Sequence, residues 1–281
     1  LPNPLPGDRA WDTSPFLRPG ETPDVVLIAG YHHTHAGLAV EALRRGAWAV
    51  VEKPLCTTLA QLEALLDAMG DRPSRLFACF HRRYSRFNAM ALHDLGVTRG
   101  DPVDYHCTVF EIPLPPLHWY RWPASGSRQM SNGCHWIDHF LYLNAYSPPR
   151  RWTMDAGSSG TLHACAELEN GAYFTLTLTD RGSVRTGVQE HVELRANDRT
   201  VRVVDFRRYQ AESTDRVLRH ARARKLDAFG QMYRAIGRAI HQGAPGDSRE
   251  SVEVTTSLVL ELEAGLAARR THRRGLRVHS F

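Results

Sequence analysis

The sequence predicts an α/β part followed by an α+β part. Two observations support this. Apolar strands alternate with amphipathic helices over residues 23–96, a β-α-β-α-β-α order that is typical of right-handed βαβ units and a parallel sheet. From about residue 101, strands instead follow one another through short turns, which predicts an open antiparallel sheet of at least four strands. We place the domain boundary so that residues 1–98 form the first domain and residues 99–281 the second.

The elements of the first part follow from hydrophobic patterning. The run PDVVLIAGY is continuously apolar, which is typical of a strand buried on both faces. Thr58 precedes a helical period and is a candidate N-cap, and glycines stand where the helices end. The predicted strands are 23–31, 47–54 and 74–84, and the predicted helices are 34–46, 58–70 and 85–96.

The second part begins with a strand, a loop rich in proline and tryptophan, and a helix. Asn170-Gly171 and Asn197-Asp198 each separate two strand-like runs, and Asn-Gly is a strong hairpin signal. Two helices close this part. The predicted strands are 101–112, 162–170, 172–180, 188–197 and 199–206, and the predicted helices are 134–146, 226–242 and 250–269.

Composition limits the class of protein. No apolar run reaches the roughly 18 residues of a membrane span, and the first residues lack the pattern of a secretory signal. The five cysteines are far apart, so we predict a reducing cytoplasm and no disulfide framework. The net charge of +5 rests partly on basic runs at 216–225 and 269–277, which indicate either nucleic-acid binding or a solvated surface. Without a recognisable nucleic-acid motif, we predict neither nucleic acid nor membrane as a partner.

Polar segments follow each strand of the first part. Open parallel sheets bind ligands beyond the carboxyl ends of their strands. The segments AGYHHTH, EKP and FHRRY lie at three such ends. We therefore expect the site in a cleft between the two parts, with Glu52 and Lys53 on its rim.

Two motifs resemble one known family. VVEKPLCTTLAQLEALL and SNGCHWIDHFLYL resemble the Glu-Lys-Pro and Gly-x-His-x-x-Asp segments of the glucose–fructose oxidoreductase / inositol dehydrogenase / MocA (Gfo/Idh/MocA) family. The resemblance implies a partial Rossmann-like dinucleotide-binding domain, then a domain whose open sheet also supports homo-oligomer contacts. It also implies hydride transfer on NAD or NADP, to or from a sugar-like or other small hydroxy or keto substrate.

The resemblance also implies roles for individual residues. Lys53 is the lysine that contacts substrate and nicotinamide, and His135 is the catalytic histidine that exchanges a proton with the substrate. Glu52 faces the cofactor ribose, and Asp138 is structural. The predicted cofactor-binding residues are Gly30, Tyr31, His32, His35, Glu52, Lys53 and His81. The predicted substrate-binding residues are Tyr84, Trp119, Arg121, Ser131, Asn132 and His139.

Three departures from the family pattern stand out. No G-x-G-x-x-G fingerprint is present, so we expect the chain to be N-terminally incomplete or to work with a separate partner half. Ser131 stands where the family has its catalytic aspartate, four residues before His135. His32 and His81 stand where the family has asparagines.

Simpler explanations remain open for each site residue. Lys53 is alternatively a surface lysine at a strand end, and His135 a histidine packed in the interface. His135 and His139 have the spacing of a metal-binding pair, but no third ligand follows at suitable spacing, so we predict no metal. Trp119 and its neighbours suit stacking on a sugar or loop packing equally well.

Three functions are therefore compared. The first is an NAD(P)-dependent oxidoreductase acting on a carbohydrate-like small molecule. The second keeps fold and cofactor but is a glycosidase or lyase that uses transient oxidation. The third is a non-catalytic binding or scaffold subunit, a reading favoured by Ser131 and the missing glycine fingerprint.

Overall fold

The chain forms two sheets, and the predicted fold class is confirmed. The computed structural model describes residues 17, 20–71 and 73–275. A small parallel sheet comes first and a larger mixed sheet second, with helices packed against both. The boundary between residues 98 and 99 stays a prediction.

The first sheet has three parallel strands in the order β1-β2-β3. As predicted, amphipathic helices connect them. The Thr58 hydroxyl caps the second of these helices by accepting a hydrogen bond from the Gln61 amide at 3.3 Å. The bounds are β1 Val25–Ile28, α1 His35–Arg44, β2 Trp48–Val51, α2 Leu59–Met69, β3 Leu76–Ala78 and α3 Phe87–Leu95.

Two details of this sheet were predicted wrongly. Strand β1 is not buried on both faces, because Leu27 is 71% exposed while its neighbour Ile28 is only 3% exposed. Leu27 lies outside the apolar cluster that covers this face over β2 and β3. The third strand also ends at Ala78, and the polar segment His81–Tyr84 forms a 3-10 turn instead of extending the strand.

The second sheet has eight strands in the order β11-β10-β9-β8-β4-β7-β6-β5. Both predicted hairpins are confirmed, with left-handed φ angles of 49° at Asn197 and 56° at Asp198. The sheet is mixed and not purely antiparallel, because β4 runs parallel to β7. Three of its strands, β5, β10 and β11, were not predicted. Its strands are β4 Asp104–Phe110, β5 Pro149–Ala156, β6 Leu162–Leu168, β7 Tyr173–Thr179, β8 Gln189–Ala196, β9 Arg199–Val204, β10 Arg208–Glu212 and β11 Val217–Arg222.

The last helices return to the first sheet. Helix α4 (Cys134–Leu143) comes between β4 and β5 and is buried between the two parts. Helices α5 (Asp227–His241) and α6 (Arg249–Gly275) follow β11. The apolar side of α5 covers β2 and β3 through Met232 and Ile236. Between α5 and α6, the Gly246 and Asp247 amides donate to the Ser74 and Leu76 carbonyls, each at 2.7 Å. Residues far along the chain therefore complete the first sheet.

Two general properties complete the fold. Among the helices of the described residues, none combines the length and the apolar character needed to cross a membrane. All five cysteines carry free thiols, and four of them are buried.

Candidate active site

Lys53 links the carboxyl end of β2 to the second part of the chain. It lies two residues after the end of β2, and the Lys53–Pro54 peptide bond is cis. The Lys53 ammonium donates a hydrogen bond to the Ser131 carbonyl at 2.9 Å. It also lies 5.8 Å from the centre of the Tyr120 ring. Lys53 is therefore held at the interface of the two parts and is not a free surface lysine.

His135 lies at the start of α4 and is 6% exposed. Its Nδ1 atom is buried and has no hydrogen-bond partner among the described residues. Burial lowers the pKa of His135 well below its usual 6.5, and the positive charges of Lys53 and Arg82 lower this pKa further. His135 is therefore neutral at pH 7, with a ring nitrogen free for a ligand.

His81 lies beside His135, with ring centres 4.8 Å apart. The other side of the His81 ring stacks on Phe229 of α5 at 3.8 Å. The Arg82 guanidinium donates to His81 Nε2 at 3.2 Å, which leaves the proton of the neutral ring on Nδ1. That Nδ1 is also buried and has no hydrogen-bond partner in the part of the chain that the structure describes. Burial, followed by the charge of Arg82, lowers the pKa of His81.

The loop before α4 covers the carboxyl end of β1. The rings of Tyr31 and Trp119 meet edge-on at 5.3 Å, and the rings of His32 and Trp119 at 4.6 Å. His32 Nδ1 donates to the Ser125 carbonyl at 3.2 Å, and burial lowers the pKa of His32 to about 3. Trp119 therefore packs on the strand-end residues.

His35 braces the ends of two strands. Its Nδ1 is 2.8 Å from the Pro54 carbonyl, and its Nε2 is 3.0 Å from the Gly30 carbonyl. The ring is 1% exposed, and burial lowers its pKa despite these two acceptors. Since a neutral imidazole carries one proton, it donates to one of the two carbonyls at a time. His35 holds Gly30 and Pro54 in place from beneath the cleft.

Glu52 is linked to the last part of the chain. Its Oε1 accepts a hydrogen bond from the Tyr233 hydroxyl of α5 at 3.2 Å. Its Oε2 is 3.4 Å from the Lys53 backbone amide. Glu52 is partly exposed at the carboxyl end of β2, so its carboxylate remains open to a ligand on one side.

Four predicted residues lie away from this centre. His139 is 3% exposed and bonded to Tyr105 and Asn88, so it is part of the core. Arg121 is exposed and donates to the Leu114 carbonyl at 2.8 Å. Tyr84 packs against the apolar cluster under α5. Asp138, predicted to be structural, forms a buried ion pair with Arg83.

The sequence analysis missed four side chains at the cleft or directly behind it. Phe229 and Tyr233 come from α5, and no local pattern connects that helix with β2 or β3. Glu190 accepts from Arg82 at 2.6 Å and from the Trp136 indole at 3.1 Å. Glu111, directly after β4, bonds to Asn132. The rule that polar residues at strand ends form sites, applied to β4, could have found Glu111.

The described residues fit one end of a nicotinamide dinucleotide. The Nδ1 atoms of His81 and His135 have no hydrogen-bond partner among the described residues, the two rings lie 4.8 Å apart, and burial together with the charge of Lys53 lowers the pKa of both. A glycine-rich pyrophosphate cradle does not occur in the sequence. Within the described residues, no three His, Cys, Asp or Glu side chains gather where a metal ion could bind.

The sequence model of one protein family matches the first part of the chain. Residues 11–80 match the sequence model of the Gfo/Idh/MocA oxidoreductase family, described as an NAD-binding Rossmann fold. The resemblance to this family is confirmed. The matched segment contains β1, α1, β2, α2 and β3, and so includes the Glu-Lys-Pro motif.

A curated relative is also described as an oxidoreductase. The putative oxidoreductase YteT of Bacillus subtilis strain 168 is 23% identical to this chain over 194 residues. That alignment covers 61% of this chain and 45% of YteT, so the chain spans less than half of the length of that relative.

Solved structures share the fold. UDP-N-acetylglucosamine 3-dehydrogenase GnnA of Acidithiobacillus ferrooxidans superposes with a TM-score of 0.69 at 18% identity, covering 87% of this chain and 79% of GnnA. A levoglucosan dehydrogenase in complex with NADH and levoglucosan superposes with a TM-score of 0.69 at 18% identity, covering 85% of this chain and 78% of that one. At such identities, the similarity concerns the fold.

Proposed function

We propose that this protein is an NAD(P)-dependent oxidoreductase acting on a carbohydrate-like hydroxy or keto compound. The observation that carries the proposal is the combination of the Lys53 ammonium, whose charge contributes to the lowered pKa of His135, with a neutral His135 whose Nδ1 has no hydrogen-bond partner among the described residues. The named sugar substrates of the two structural relatives support the substrate class. The free thiols support a reducing cytoplasm, and the open second sheet offers a surface for homo-oligomer contacts.

The two side chains suit the oxidation of an alcohol. The lowered pKa keeps the His135 imidazole unprotonated at pH 7, so it accepts the hydroxyl proton as the carbonyl forms. The Lys53 ammonium uses one proton on the Ser131 carbonyl and has two left, with which it stabilises the developing alkoxide. When bound, NAD or NADP supplies the nicotinamide ring that takes up the hydride from carbon.

The test combines cofactor with a panel of sugars, polyols and keto-sugars. We expect reduced nicotinamide to form with NAD or NADP and at least one polyol or sugar. Lys53→Met and His135→Gln should each lower kcat/KM by about 100-fold or more, because each removes a group on the reacting atoms. Lys225→Met is the matched control, since Lys225 is exposed and donates to the Val188 carbonyl at 2.9 Å.

Three results would contradict the proposal. Failure to bind either dinucleotide at millimolar concentration would exclude the oxidoreductase and support a scaffold subunit. Cleavage of a glycoside without net cofactor reduction would support the glycosidase or lyase instead. Full activity in both variants would show that the reaction takes place elsewhere.

A further inference from the structure

Glu111 brings a buried carboxylate to the site from the second sheet. It directly follows β4, and its amide donates to the Thr179 carbonyl at 2.8 Å. The residue is 5% exposed. Its Oε2 atom has no hydrogen-bond partner among the described residues. A buried carboxylate oxygen without a hydrogen bond costs free energy, which indicates a role beyond packing.

Glu111 has two cationic neighbours and one acidic neighbour. Burial raises the pKa of Glu111, while the bond from Asn132 and the charges of Arg128 and Lys53 oppose this rise. Arg128 lies 3.7 Å from Glu111 Oε2 and 3.3 Å from Asp180, so it is shared between two carboxylates.

The carboxylate fixes the orientation of the Asn132 amide. Glu111 Oε1 accepts a hydrogen bond from Asn132 Nδ2. Because a carboxylate only accepts, the amide must turn its NH₂ group towards Glu111 and its oxygen away. Within the described ranges, no donor bonds to Asn132 Oδ1, and the residue is partly exposed. The preceding Ser131 carbonyl accepts a hydrogen bond from Lys53, so Asn132 directly follows the residue that holds the Lys53 ammonium.

We propose that Glu111 is a positioning residue that holds Asn132 with its Oδ1 turned to the cleft, where it accepts a hydrogen bond from a substrate hydroxyl next to the reacting one. An amide oxygen only accepts, so this position selects a hydroxyl over a deoxy or keto group. The pair therefore recognises a vicinal diol. This inference rests on the proposed function and specifies the substrate pattern at the same site.

The test compares a substrate with its monodeoxy analogues. The best polyol or sugar of the panel, with NAD or NADP, is used for steady-state kinetics beside each analogue. Wild-type protein should discriminate against one vicinal deoxy analogue by about tenfold in kcat/KM, as expected for one hydrogen bond. Glu111→Ala and Asn132→Ala should each abolish this discrimination, because the parent substrate then loses the hydrogen bond that the analogue never made.

Two further variants separate positioning from stability. Glu111→Gln keeps an oxygen that can accept from Asn132 and should retain part of the discrimination. Asp180→Asn removes the other carboxylate on Arg128 but leaves the Glu111–Asn132 bond, and should behave as wild type. Thermal unfolding of each variant shows whether it is folded, and Asn132→Ala provides the measurement if Glu111→Ala fails to fold.

The outcomes distinguish this inference from the proposed function. Discrimination that survives in both Glu111→Ala and Asn132→Ala, with normal wild-type turnover, would overturn the inference alone. A wild-type protein that turns over every deoxy analogue equally would do the same. A wild-type protein that binds no cofactor and turns over no member of the panel would overturn the proposed function, and the inference with it.

Discussion

Mild acid should destabilise this fold through histidines that are buried in neutral form. His139 accepts from the Tyr105 hydroxyl at 3.0 Å and donates to Asn88 Oδ1 at 2.9 Å, and burial lowers its pKa to about 3. Burial lowers the pKa of His32 to about 3 as well. In the unfolded chain both return to about 6.5. Acid therefore protonates the unfolded state first.

The size of the effect follows from linkage. Because the unfolded chain binds more protons, the free energy of unfolding is at its highest above pH ~6.5 and falls as the pH drops from there towards ~3. When the pH falls from ~7.5 to ~5.5, each histidine with such a shift lowers the free energy of unfolding by about 1.4 kcal/mol. His139 and His32 together remove about 3 kcal/mol. Unfolded carboxylates, with pKa values near ~4, contribute little in this window.

The assay is urea unfolding at the two pH values. His139→Gln should lower the difference between the two unfolding free energies by about 1.4 kcal/mol, because the glutamine does not titrate. His220→Gln, at an exposed position on β11, should keep the wild-type difference. If His139→Gln loses as much stability on acidification as wild type does, His139 is not the buried neutral group described here, and the reasoning fails.

Three further predictions concern stability. Asp138→Asn should lower the unfolding free energy by about 3 kcal/mol, because the 6%-exposed Arg83 loses its main partner; urea unfolding within ~1 kcal/mol of wild type would contradict this. Gly246→Ala should lower the free energy of unfolding by about 2 kcal/mol, since a Cβ there would lie 2.1 Å from the Leu76 carbonyl oxygen. An unchanged melting temperature would contradict this prediction. Gly237 lies inside α5, and a Cβ added there would meet no described heavy atom within 4 Å. Gly237→Ala should therefore raise the free energy of unfolding by about 0.5–1 kcal/mol in the same assay. A lower free energy of unfolding would show that the added methyl group is not accommodated.

Local patterns predicted much of the fold. The alternation of apolar runs and helical periods predicted β1 to α3, because these elements form from neighbouring residues. The Asn197-Asp198 turn predicted its hairpin for the same reason. The placement of Lys53 beyond the carboxyl end of β2 followed from the prediction of a parallel sheet alone.

Long-range contacts could not be predicted in this way. The parallel pairing of β4 with β7 and the stacking of Phe229 on His81 join segments that carry no complementary signal. The exposure of Leu27 depends on where α5 ends against the sheet, which no property of the β1 sequence determines. The Glu111–Asn132 bond brings a strand end to a π-helix that spans Gln129–Gly133. Such helices have no reliable sequence pattern and are frequent at functional sites.

The cover that α5 forms on the first sheet has a consequence for synthesis. Met232, which belongs to the same apolar cluster as Phe77, follows it by 155 positions (232 − 77). At roughly 5–20 residues per second, the ribosome needs about 8–30 s to make that stretch. Throughout this time, the nascent chain presents Val50, Phe77 and Cys79 on an uncovered apolar surface. Chaperones that bind such surfaces would therefore meet this protein before its α5 helix emerges.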